Sequence, residues 1–204
     1  IPVTIGAALL PVWVLTPRPG KATGPDTTEG IVAECLASGA TGAELVDEAI
    51  ALVARAYPWY SLLRLAASPR RSLREHRGWS HQYNMILLVV LRQLGFRARA
   101  VHAPRVRGFN RPWWLAGHTW VRVWVDGHEL DACASTDSSR VGKPPFVPVT
   151  HMVPFRPVTN WAVTAALIPF VTLEVWRSWL TRRPIPPWIH GRKLSQQEGD
   201  SPLG

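Results

Sequence analysis

Three side chains in this sequence are of the types that move acyl groups: Ser80, His118 and Asp131. A hydroxyl or thiol attacks a carbonyl when a neighbouring base takes its proton, and the base works best when a carboxylate fixes its tautomer and steadies its cation. The run Arg77-Gly78-Trp79-Ser80-His81-Gln82-Tyr83-Asn84 leads into a long apolar stretch that stops at Leu94-Gly95-Phe96. A nucleophile in the first turn of a buried helix gains the helix dipole and free backbone N–H groups that can receive an oxyanion. Gly78 just before it allows close approach of backbone or substrate. Downstream, Gly117-His118-Thr119-Trp120 opens a β-branched and aromatic stretch, and Asp131 lies beyond an Asp126-Gly127 turn. Base and orienter on adjacent strands can meet without a mobile loop between them.

The elements that must hold these residues are legible. Residues 79–94 are apolar nearly all round, the pattern of a buried helix, and Gly95 is its C-terminal stop. Residues 97–102 and 119–125 read as strands, Asp126-Gly127 as a type I′ hairpin turn and 128–133 as the return strand. Residues 41–56 repeat apolar side chains at helical spacing, with Thr41 and Glu44 as a capping box, and Tyr57-Pro58 ends that helix. Helices followed by antiparallel strands define an α+β architecture, with N-terminal helices and a buried nucleophile helix packed on an antiparallel sheet. Along the chain we expect an N-terminal extension over 1–30, a catalytic domain over 31–157, an apolar helical segment over 158–190 and a polar tail over 191–204.

The helix and hairpin together resemble the core of the transglutaminase-like superfamily, which shares the papain-like Cys-His-Asp site. That pattern places Gly-x-Cys at a helix start, Leu-Gly-hydrophobic at its stop, then a His-x-Trp-Val strand and a hairpin ending in Asp. Ser80 to Gly95 matches the first interval, His118-Thr119-Trp120-Val121 the second and Glu129-Leu130-Asp131 the third. The first stretch also resembles arylamine N-acetyltransferases, through Arg-Gly, Asn84 and Leu-Gly-Phe. The leader peptidases of lasso-peptide biosynthesis are a further small relative with this triad. The resemblance covers residues 77–133 and implies an acyl-enzyme at position 80, formed on an amide or thioester and passed to water or to an amine. Serine stands where the family has cysteine. It is an engineered trap, a natural serine working with His118, or the mark of a natural protein that binds a peptide or carrier-bound acyl group without turnover.

Other residues near the site carry simpler readings. Ser80 would serve as a helix N-cap, His118 as a satisfied core histidine and Asp131 as a strand-end residue. His81 should point away from the nucleophile, and Gln82 and Asn84 should satisfy backbone groups. Trp79, Trp113 and Trp114 could wall an apolar substrate cleft or cover the core. Such a cleft would favour transfer over hydrolysis. Cys133 shares a strand face with Asp131 and reads as a core thiol on the arm opposite the nucleophile.

Composition narrows the classes. The 204 residues are 47% hydrophobic, enough for one core. The net charge is +9, but the arginines are dispersed and no zinc-finger or RNA-binding signature appears, so no nucleic-acid partner is expected. Arginines between Arg97 and Arg111 suit an anionic or phosphopantetheine-bearing partner. No phosphate-binding glycine loop occurs, and His128-Glu129 lacks a second spaced ligand pair, so neither cofactor nor metal is expected. Cys35 and Cys133 form no CxxC pair, and residues 1–15 lack the basic start of a signal peptide, so the cytoplasm is the expected compartment. Residues 161–180 read as a helix packed on the domain or as a peripheral membrane helix. Pro169 and Glu174 speak against a bilayer span, while Arg177, Arg182 and Arg183 could meet anionic headgroups.

Overall fold

The computed structural model describes residues 24–109 and 115–193. Two helices open the described chain, α1 (Thr28–Ala37) and α2 (Gly42–Ala56). Thr27 caps α1 by accepting a hydrogen bond from the Gly30 N–H, 3.1 Å. Thr41 is the N-cap residue of α2, as expected, but its side chain makes no capping bond. Strand β1 (Trp59–Ser61), the short helix α3 (Pro69–Arg74) and strand β2 (Arg77–Gly78) follow.

Helix α4 (Ser80–Gln93) is the centre of the molecule. It ends where Gly95 takes a φ of 90°, with the Phe96 N–H returning to the Leu91 carbonyl at 3.0 Å. That positive φ is where glycine avoids a Cβ penalty. Its Ile86, Leu87, Val90 and Leu91 are buried with Val46, Ile50 and Val53 of α2 on one side. Val121, Val123, Val125 and Ala132 of the sheet close the other.

The sheet is antiparallel, in the order β6–β5–β3–β8: β3 (Ala98–Ala103), β5 (His118–Val125), β6 (His128–Ala132) and β8 (Val153–Pro154). Asp126 and Gly127 both have positive φ, 49° and 80°, the geometry of a type I′ turn. The turn sets a register of Val125 opposite His128, Val123 opposite Leu130, Arg122 opposite Asp131 and Val121 opposite Ala132. Odd-numbered positions of β5 face α4. Even-numbered ones, with Asp131, face the other way. Strands β4 (Val106–Arg107) and β7 (Val147–Pro148) pair at one side. The described part is therefore α+β.

The long helix α5 (Pro157–Leu180) lies on a second apolar cluster with Tyr60, Leu62, Trp79, Leu115 and Ile189. Strand β9 (His190–Arg192) then returns to pair antiparallel with β1, which pairs in parallel with β2. Two expected boundaries shift. Helix α1 starts inside the expected extension, and β9 runs past residue 191, where a polar tail was expected. A strand that pairs only with a distant segment has no local signature.

Candidate active site: an imidazole between two arms

Ser80 is the first residue of α4 and is buried. Among the described residues nothing hydrogen-bonds its hydroxyl. The turn around it is fixed by Gln82, whose Oε1 accepts from the Trp79 N–H at 3.2 Å. Its Nε2 donates to the carbonyls of Arg64 and Ala67 at 3.0 and 2.9 Å. A Cβ on Gly78 would collide with the Ser72 hydroxyl, Gln82 and Tyr57, so this glycine makes room for the protein's own side chains. Trp79 is buried in the cluster beneath α5, which makes it a core residue where a cleft wall was considered. Trp113 and Trp114 lie outside the described residues.

His118 opens β5 and is fully buried, its ring ringed by Phe109 (4.8 Å), Phe146 (4.6 Å) and Trp120 (6.2 Å). Asp131 is not its orienter. The Asp131 carboxylate accepts from the Trp120 indole N–H at 2.8 Å and pairs with the Arg122 guanidinium at 3.3 Å. Arg122 also pairs with Glu129, which holds Arg99. The register explains this correction. Asp131 shares the face of His118 but stands opposite Arg122, four residues along β5 from His118, roughly 13 Å at strand rise.

The imidazole meets a thiol instead. His118 Nε2 lies 3.2 Å from Cys133 Sγ. The Ser135 hydroxyl is 3.0 Å from that sulfur and 3.5 Å from Nε2, and the Tyr83 hydroxyl is 3.2 Å from Ser135. Asn84 reaches in from α4. Its amide N–H donates to the Thr119 carbonyl at 2.7 Å and approaches the sulfur at 3.6 Å, while its oxygen accepts from the Ala134 N–H at 3.0 Å. Lys193 donates to the Ala134 carbonyl at 3.0 Å and stands 3.8 Å from the Tyr83 ring centroid. Burial pushes the Cys133 thiol up, against hydrogen bonds from Ser135 and Asn84 and the charge of Lys193, which pull it down. Continuing the β5–β6 register past Ala132 brings Cys133 level with Trp120 and Ser135 level with His118, so the hairpin turn was the signal that could have found this pair.

A pair of histidines lies on the helix side of the sheet. His81 sits against Phe155, and His102 Nδ1 is 3.0 Å from the Thr119 hydroxyl. Burial, with mutual repulsion at His81, lowers both to about 4, so both rings are neutral near pH 7. Among the described residues no three His, Cys, Asp or Glu side chains converge as a metal site requires.

A cleft of about 230 Å³ is lined by Arg105, Arg107, Phe109, Leu115 and Ala116. Of these, Phe109 also has its ring centroid 4.8 Å from that of His118. Arg97 and Arg99, in contrast, lie over Trp124. No protein family, curated protein or solved structure matches the chain.

Proposed function

We propose that this chain is a thiol-dependent acyl-transfer protein on a transglutaminase-like core, with Cys133 as the nucleophile and His118 as its base. The observation that carries the reading is the 3.2 Å separation of His118 Nε2 and Cys133 Sγ. Among the described residues Ser80, at the position the resemblance gives to the nucleophile, has no base within hydrogen-bond reach, whereas Cys133 has one. The site keeps its two arms, and the reactive atom moves from the helix to the strand.

In the step we infer, His118 takes the thiol proton as the sulfur attacks the carbonyl carbon of a thioester or amide. The carbon–sulfur or carbon–nitrogen bond breaks, the leaving thiol or amine takes the proton from the imidazolium, and the acyl group rests on Cys133. Water or an amine then attacks that thioester, with His118 as base again. Ser135 and Asn84 supply hydrogen bonds to the sulfur. Burial keeps the resting thiol protonated, so proton removal accompanies attack. Arg105 and Arg107 at the cleft suit a substrate with an anionic group, such as a carrier-bound acyl thioester, and Phe109 must turn aside to admit it.

A second reading rests on one observation. Cys133 is only 1% exposed, which suits a protein that binds its acyl or peptide ligand without turnover.

The test is to incubate the full chain with a short acyl thioester and read intact mass, then map any adduct by peptide. Acylation at Cys133, lost in Cys133→Ser and strongly slowed in His118→Ala, supports acyl transfer. Iodoacetamide labelling across pH adds a clock, with Cys35 as reference; burial pushes that thiol up to about 11. Cys133 labelling no faster than Cys35, with no acyl adduct, would remove the enzyme and leave the binding protein. Acylation that appears only in Ser80→Cys would return the nucleophile to the helix arm.

A further inference from the structure

Helix α5 turns its apolar side outward. Its buried stripe is Leu167, Val171, Val175 and Ser178. Off that stripe Val158, Trp161, Ile168, Leu173 and Leu180 are exposed, Trp161 at 72% and Leu173 at 69%. Ala162 and Ala166 between them are exposed as well. A helix lying on a soluble core normally puts charge there, as α2 does with Glu44, Glu48 and Arg55. The only charges within α5 are Glu174 and Arg177, which approach each other at 3.6 Å. Arginines flank the helix instead: Arg156 before it, Arg182 and Arg183 after it.

We propose that this outer face lies flat on an anionic lipid bilayer. The helix is long and apolar enough to cross a membrane by length and composition. Crossing would strip Val171 and Val175 from the cluster with Tyr60, Trp79 and Ile189, and would carry Glu174 and Arg177 into hydrocarbon. Lying in the interface keeps the inner stripe packed and sinks only the outer side chains. Trp161 near one end and Trp179 near the other suit the headgroup level, where amphipathic rings collect. Charge argues for lipid over a protein partner. The arginines stand at both ends of the face, the exposed side of the helix offers no unpaired carboxylate, and the whole chain carries +9. Val149, Met152 and Val153, which precede α5 in the chain, are exposed as well. This inference stands on α5 alone and is independent of Cys133.

The experiment is co-sedimentation of the full chain with vesicles of phosphatidylcholine and phosphatidylglycerol in equal parts, and with phosphatidylcholine alone, at low and high salt. Binding to the anionic vesicles, weakened by salt, is expected, with a blue shift of tryptophan emission. Arg182→Ala with Arg183→Ala should weaken it by roughly tenfold or more. Trp161→Glu with Leu173→Glu should abolish it while the thermal midpoint stays near wild type, because both side chains face outward. Wild-type protein left in the supernatant with anionic vesicles at low salt overturns the proposal. So does a double-glutamate variant that still pellets. Self-association in lipid-free buffer that the same variant abolishes also overturns it, since a second copy would then cover the face.

Discussion

Helices α4 and α5 are both apolar around most of their circumference, and the protein treats them in opposite ways. Helix α4 is enclosed by α1, α2, α3 and the sheet, and three polar side chains near its start are spent on buried groups: Gln82 on three backbone atoms, Tyr83 on Ser135, Asn84 on Thr119 and Ala134. Helix α5 fully buries one narrow stripe and leaves much of its remaining surface exposed. An all-round apolar helix therefore needs cover without specifying which kind. In α4 the cover is protein, and Gln82, Tyr83 and Asn84 are the sign of it, because their buried polar groups are matched. Helix α5 has few such groups, and its charges cluster at and beyond its ends, as on a helix that meets a fluid surface.

The sharpest break between the two helices is a pair of truncations. Leu87→Ala in α4 should lose about 2–5 kcal/mol in denaturant unfolding, since the side chain is fully enclosed. Leu173→Ala in α5 should stay within about 0.5 kcal/mol. Equal losses would mean that α5 is covered by protein in solution.

Acid should act next, through His81 at the start of α4 and His102 on β3, whereas α5 carries no histidine. His81 and His102 fall from 6.5 in the unfolded chain to about 4 when folded. Between those values the unfolded chain holds more protons, so stability is full above about pH 6.5 and falls by a few kcal/mol as pH drops toward 4. His81→Phe should flatten part of that slope in unfolding measured against pH. An unchanged slope would place the titrating groups elsewhere.

Smaller still is the loss of one polar match. Asn84→Ala leaves the Ala134 N–H and the Thr119 carbonyl without their side-chain partner and should cost about 1–3 kcal/mol. Thr164→Ala in half-buried α5 removes only a 3.4 Å contact to Asn160 and should change stability by about 0.5 kcal/mol or less. Thermal midpoints of the two variants compare them directly.

Much of this was legible in the sequence. The span of α4, its glycine stop and the Asp126-Gly127 turn follow from periodicity and turn chemistry, and Gln82 and Asn84 do satisfy backbone groups as expected. Asp131 went astray on distance. A two-residue turn fixes every opposing pair of the hairpin, and counting outward from Val125 and His128 sets Asp131 against Arg122 and leaves residue 135 for His118. That Cys133 and Asp131 share a strand face was read correctly; the stretch of strand between Asp131 and His118 was not counted. The same count raises Cys133 from a core thiol to the neighbour of His118. The setting of α5 and β9 was not legible, because the partners of both lie far away in sequence and neither has a local signature.

The return of β9 has a mechanical meaning. Strand β9 hangs on β1 by three residue pairs, and the next residue, Lys193, grips the carbonyl of Ala134, the residue that joins Cys133 to Ser135. Tension on the chain beyond residue 193 would peel a three-residue strand and tug on that residue, so load applied at one end of the described chain would arrive beside the sulfur. The strand is short enough to serve as a weak link, and Lys193 is the tether through which its release would be felt.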